Sequence, residues 1–211
     1  MRYLVGLATS VIEGLELIIS VYIATSLDGF IARSNGNLDW LAGSSSDVAE
    51  TPVSNTSDSS SSGAPEDYGF WEFFNSIDTM VMGRGTFEFV ASTGQWVYEG
   101  KRVIVLSSTM SSHDVPSNLV GKVKILSMEP ADLAEKLADE GAEHVYVDGG
   151  ITIQRFLHAG LIDELTLTRA PVLLGTGIPL FGELDADVHL RHVETKSFES
   201  GFLQSTYVVE R

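Results

Sequence analysis

The stretch HVYVDGGITIQRFLHAG, residues 144–160, limits the fold most tightly. A run rich in β-branched and aromatic side chains meets two glycines. With no spacer, apolar residues then recur at helical spacing: Ile153, Phe156 and Leu157. A strand that passes straight into a helix returns to its sheet by a crossover, which favours a parallel neighbour. TMVMGRGTFEFVAS, residues 79–92, repeats the pattern. The order of segments therefore predicts an α/β fold around a mostly parallel sheet.

The remaining segments fit that frame. IISVYIAT (18–25) is a continuous apolar run suited to a strand buried on both faces. RVIVL (102–106) and VKIL (123–126) read as strands, PADLAEKLADEG (130–141) as a helix closed by Gly141, and DELTLTRAPVL (163–173) as another strand. A helix is expected to open at Pro65, with Glu66 and Asp67 in its first turn and Phe70, Trp71 and Phe74 facing inward. The end, VHLRHVETKSFESGFLQSTYVVER, alternates in period two around Glu-Ser-Gly, as an antiparallel hairpin does. The sheet is thus expected to be mixed.

With 211 residues and 44% hydrophobic content, the chain can bury one sizeable core. Residues 18–211 are expected to form a single domain. Residues 42–65, Ser-rich and nearly free of large apolar side chains, read as a flexible insert. The first 17 residues are apolar but interrupted by Glu13 and Glu16, and read as an N-terminal extension rather than a signal peptide or membrane span. The expected location is the cytoplasm. A formal charge of −16 argues against general binding to nucleic acid or anionic membrane. It leaves room for a small anionic ligand held by local donors. No cysteine is present, which excludes disulfides, thiolate metal sites and a cysteine nucleophile. The five histidines show no ligand spacing, and no metal is expected.

Ligands of open α/β sheets bind beyond the carboxyl ends of the strands. Three such ends share one chemistry: Gly83-Arg84-Gly85-Thr86, Ser107-Ser108-Thr109, and Gly149-Gly150-Ile151-Thr152. Each offers free backbone N–H groups, and two of them open helices. Either each glycine pair is a tight turn, or a phosphate approaches the backbone there. Their coincidence points to a dinucleotide. With Arg84, Ser107 and Ser108 on hand and no carboxylate directly after 102–106, a 2′-phosphate is preferred over a 2′-hydroxyl, and so NADPH over NADH.

On the substrate side, Asp28 reads either as Asp-Gly turn chemistry or as a polar contact near the nicotinamide. Asp67, in line with the apolar stripe, reads either as a helix-dipole acid or as a half-buried proton donor with a raised pKa. Trp40 is either a core aromatic or a cover for substrate.

VYIATSLDGFIA, DTMVMGRGTFEF, VIVLSS and VYVDGGITIQRFLHAGLIDELTLTRAPVLLGTGIPLF together resemble the dihydrofolate reductase-like family, on the branch of the reductase domain of the riboflavin-biosynthesis deaminase/reductase. The resemblance runs over about 18–210 apart from the insert. It implies a three-layer fold, hydride transfer from NADPH, and a homodimer. It implies that Ala24 meets the nicotinamide, that Gly83, Arg84 and Thr86 hold the adenosine side, that Ser107 and Ser108 lie near the 2′-phosphate, and that Gly149, Gly150 and Ile151 cradle the pyrophosphate. The deaminase half needs zinc-binding cysteines and is absent. The implied reaction is reduction of a C=O or C=N carbon in a pyrimidine- or pteridine-like molecule, with 5-amino-6-(5-phosphoribosylamino)uracil as the candidate. A binding module without catalysis, and a reductase of some unrelated small molecule, are the alternatives.

Overall fold

The computed structural model describes residues 17–41 and 66–211. The expectations for the 42–65 insert, and for the extension up to residue 16, lie outside the described residues.

Strand β1 (Ile18–Ser26) is followed by the short β2 (Phe30–Ala32), then α1 (Phe70–Ser76), β3 (Thr79–Gly83), α2 (Arg84–Ser92), β4 (Arg102–Leu106) and β5 (Val123–Leu126). Helix α3 (Pro130–Asp139), β6 (His144–Asp148), α4 (Gly150–His158), β7 (Glu164–Ala170), β8 (Ile178–Pro179), β9 (Leu190–Ser197) and β10 (Leu203–Val209) complete the order. Eight strands form one sheet, in the order β5-β4-β3-β6-β1-β7-β10-β9. Every pairing from β5 across to β7 is parallel, and those of β10 with β7 and β9 are antiparallel. The sheet is mixed and mostly parallel, as the segment order predicts.

Period-two alternation divides the core. Val81, Ile104, Val145 and Val147 pack on one face against Leu133 and Leu137 of α3 and Ile153 and Phe156 of α4. Met80, Met82, Val103, Val105 and Tyr146 pack on the other against Phe74 of α1 and Phe87 of α2. Phe156 is fully buried, and Phe156→Ala would cost about 3–5 kcal/mol through lost contacts and the cavity left behind. A smaller core of Trp40, Ala170 and Phe202 lies apart from both. Among the described residues no helix is long and apolar enough to cross a membrane.

Three elements depart from expectation. Helix α1 begins at Phe70, because Tyr68 (φ 53°) and Gly69 (φ 82°) take left-handed backbone and cannot belong to it. Strand β7 ends at Ala170, where Pro171 brings no N–H for the ladder. The β2–β8 ladder is unexpected, since strands of three and two residues are too short to show a period.

Candidate active site

The four segments singled out in the sequence occupy the carboxyl ends of neighbouring strands: β4 with Ser107 and Ser108 beyond it, β3 with Gly83, β6 with Gly149 beyond it, and β1 with Ala24. These strands are parallel, so their ends share one edge of the sheet. Helices α2 and α4 start there, N-capped by Gly83 and Gly149. Neither has a side-chain cap or an acid in its first turn. The first N–H groups of both helices thus face a common edge with positive partial charge. Ile151, in the first turn of α4, is 74% exposed.

Local packing by itself gives each of these glycines a cause. A Cβ at Gly149 would run into the Thr86 hydroxyl, and its backbone (φ 91°) disfavours any side chain. A Cβ at Gly83 would lie 2.7 Å from Thr152 Oγ1. A Cβ at Gly150 would press on Ile31 Cδ1 at 3.0 Å and the Pro179 carbonyl at 3.1 Å. Close packing of the two strand–helix turns, and of the β2–β8 ladder on α4, therefore accounts for the missing side chains without a phosphate. Gly150→Asp is consequently no clean probe of ligand binding, because it would disturb packing first.

At the β3 and β4 ends, Arg84, Glu88, Thr109, Met110 and Asp114 line a cleft of about 290 Å³. Arg84 Nε donates to Glu88 Oε1 at 2.6 Å, and Arg84 Nη1 donates to Thr109 Oγ1 at 3.3 Å. Ser107 Oγ accepts from the N–H groups of Thr109 and Met110 and so closes its own turn. Ser108 is exposed. The cleft therefore brings together Arg84 and Thr109, and adds two acids, Glu88 and Asp114, that spacing alone did not associate with them.

On the α1 side of the sheet, β6 runs beside the first part of β1, with Tyr146 paired to Ser20, and β1 continues past the end of β6 to Ser26. Asp148 ends β6 next to Met82 of β3, and Gly149 N donates to its Oδ1 at 2.7 Å. Burial drives its pKa up to about 6, against the pull of that hydrogen bond. Its charge also helps to keep the Tyr98 and Tyr146 hydroxyls neutral, although burial is the larger cause for both. Sequence reasoning assigned Asp148 no role. Its signal was a lone acid at the end of an apolar strand, directly before two glycines.

Ala24, at the end of β1, packs against the small core that contains Trp40. The Trp40 ring is 8% exposed, and its Nε1 is buried without a hydrogen-bond partner among the described residues.

Of the two acids first considered for catalysis, Asp67 departs from its inward expectation, while Asp28 takes the Asp-Gly turn, with Gly29 N donating to the Ser26 carbonyl. Asp67 is exposed, not inward. Its Oδ1 accepts from Gly69 N at 3.0 Å and its Oδ2 from Trp71 N at 3.5 Å, so it serves the start of α1. The left-handed turn at 68–69 takes it off the apolar stripe. Asp28 is also exposed. It accepts from Ser26 Oγ at 2.6 Å and from the N–H groups of Leu174 and Gly175. Those bonds, Ser26 first, hold its carboxyl below the usual range and tie the 173–175 loop to the β1 end.

Next to Asp67, a buried network fixes the chain. Gln204 Nε2 donates to Tyr22 Oη, the Tyr68 carbonyl and Thr168 Oγ1 at 2.8–2.9 Å, and Tyr22 Oη donates to the same carbonyl. His144 bonds Ser20 and Ser76 at the opposite edge of the sheet, while His113 shares the 3-10 turn of Asp114.

A family model described as the RibD C-terminal domain matches residues 18–204. The uncharacterized protein YwjB of Bacillus subtilis (strain 168) is 31% identical over 180 residues, which are 84% of this chain and 90% of that protein. A solved structure from Shewanella sp. PV-4, named for riboflavin biosynthesis, superposes with a TM-score of 0.76 at 38% identity, covering 92% of this chain and all of the other. The dihydrofolate reductase of Enterococcus faecalis, solved with NADP(H), shares the fold at a TM-score of 0.58 and 18% identity, over 92% of this chain and 97% of that one.

Proposed function

The chain belongs to the RibD C-terminal domain family, and we propose that it is an NADPH-dependent reductase of a pyrimidine- or pteridine-like molecule. The compound 5-amino-6-(5-phosphoribosylamino)uracil is the first candidate. One observation carries the cofactor assignment: four neighbouring strand ends meet two helix N-termini that lack both side-chain caps and acidic first turns. That edge fits a pyrophosphate, with Arg84 and Thr109 placed to take the adenosine end.

The bound dinucleotide supplies hydride to a C=O or C=N carbon. The protein's part is to bind, orient and handle the proton. Gly150 and Ile151 offer backbone N–H groups to phosphate oxygens, beside Gly149, whose own N–H is held by Asp148, and the Ala24 backbone faces the reacting end. Trp40 Nε1, a buried donor in need of an acceptor, holds a substrate carbonyl in this reading. Asp148 holds the proton. With its pKa at about 6, about one-tenth of the molecules carry the acid form at pH 7, and re-protonation is fast.

The test is single-turnover loss of NADPH absorbance with the aminouracil phosphate, pterins and quinones. Oxidation by one of them, with product reduced at a single C=O or C=N, supports the proposal. NADPH binding with no turnover of any would leave a binding module and end the enzymatic reading.

A further inference from the structure

The cleft at the β3 and β4 ends holds one cation and two acids. Asp114 is fixed there by the N–H and hydroxyl of Ser111, at 2.8 and 2.9 Å. Glu88 stands one helical turn after Arg84 and takes its Nε directly, while Arg84 Nη1 reaches Thr109. The guanidinium is about half exposed, so the pair is accessible to a ligand. A 2′-phosphate entering this cleft must take Arg84 from Glu88 and lie close to two carboxylates. A 2′-hydroxyl meets no such opposition, since it donates to a carboxylate.

We propose that Glu88 is the residue that limits cofactor selectivity. By holding Arg84 in a carboxylate pair, it keeps the preference for NADPH over NADH below about tenfold, a margin typical of a solvent-accessible charge pair. The proposal rests on the cofactor reading above, with the adenosine ribose seated at Arg84.

The experiment is calorimetric titration of NADPH and NADH into the wild-type protein and the Glu88→Gln variant at fixed salt. Wild type should bind both, NADPH somewhat better. Glu88→Gln should tighten NADPH about five- to tenfold and leave NADH no tighter, as expected when one like charge is removed from beside a phosphate and a carboxylate acceptor is removed from beside a hydroxyl. If Glu88 merely supported α2, both affinities would move together, and an unchanged ratio overturns the proposal. A wild-type preference of a hundredfold or more overturns it as well, while leaving the cofactor reading standing. Failure of wild type to bind either dinucleotide overturns that reading and this proposal together.

Discussion

Asp148 sets two demands against each other. The Gly149 N–H favours its charged form, whereas burial disfavours it, and burial wins. Its pKa in the folded chain is thus raised from 3.8 to about 6. The corresponding stability is fully present below about pH 4 and is lost as pH rises through about 6. Asp148→Asn removes that dependence. Its stability relative to wild type should improve between pH 4.5 and pH 8 by on the order of 2 kcal/mol, read from urea midpoints at the two values. A gap independent of pH would mean that the carboxyl keeps its water in the folded chain. Its hydride-transfer rate should fall about 10²- to 10⁴-fold if it holds the proton. Asp67→Asn, by contrast, should leave that rate unchanged and lower the melt only slightly, because Asn also caps helices. Trp40→Phe deletes a buried donor that has no partner among the described residues, so it should cost little stability, under about 1.5 kcal/mol, while raising KM. A large fall in melting temperature would instead point to a partner for Nε1.

At the scale of elements, strands and helices were legible wherever a period ran long enough. Helix α3 and strands β3 to β6 follow the pattern of the chain closely, and the C-terminal hairpin appears where alternation places it. The start of α1 was not legible. Tyr68 holds left-handed backbone, which costs about 1–3 kcal/mol for a residue with a side chain. What secures it is Gln204 on β10, 136 residues away, together with Tyr22 on β1 and the rings of Phe198 and Phe202. No local window contains those partners. Gln204→Leu should strand the Thr168 hydroxyl and leave the Tyr68 carbonyl with Tyr22 alone, costing about 1–3 kcal/mol. Hydrogen exchange should then rise at 68–71 before it rises in the central strands; uniform destabilisation would contradict this role. The candidate site was legible in part. Glycines and hydroxyls at strand ends marked the right edge, but they could not show that Thr86 and Thr152 fill the space beside Gly149 and Gly83. Nor could spacing show that Asp114, from a 3-10 turn, enters the cleft of Arg84.

Across the whole molecule, β9 is the outermost strand beside β10, and every one of its residues is exposed, including Leu190 and Val193. An edge of this kind is open to pairing. We propose a homodimer on that edge, and sedimentation should return twice the 22.8 kDa of one chain. A single-chain mass, unchanged by Val193→Lys, would exclude it. The strand order carries another consequence. Strand β1 emerges early in synthesis yet lies in the middle of the sheet, where Ile18 pairs with His144 and Ser20 with Glu164. It has no neighbour in the sheet until the last third of the chain exists. Closing such long loops comes before any reward from contact, so acquisition of structure by β1 should be slow and late. In pulse-labelled refolding, the amides of β1 should gain protection in the same phase as those of β6 and β7. Until that phase, an apolar strand waits unpaired, and the time between its synthesis and its docking is when the chain is most open to aggregation.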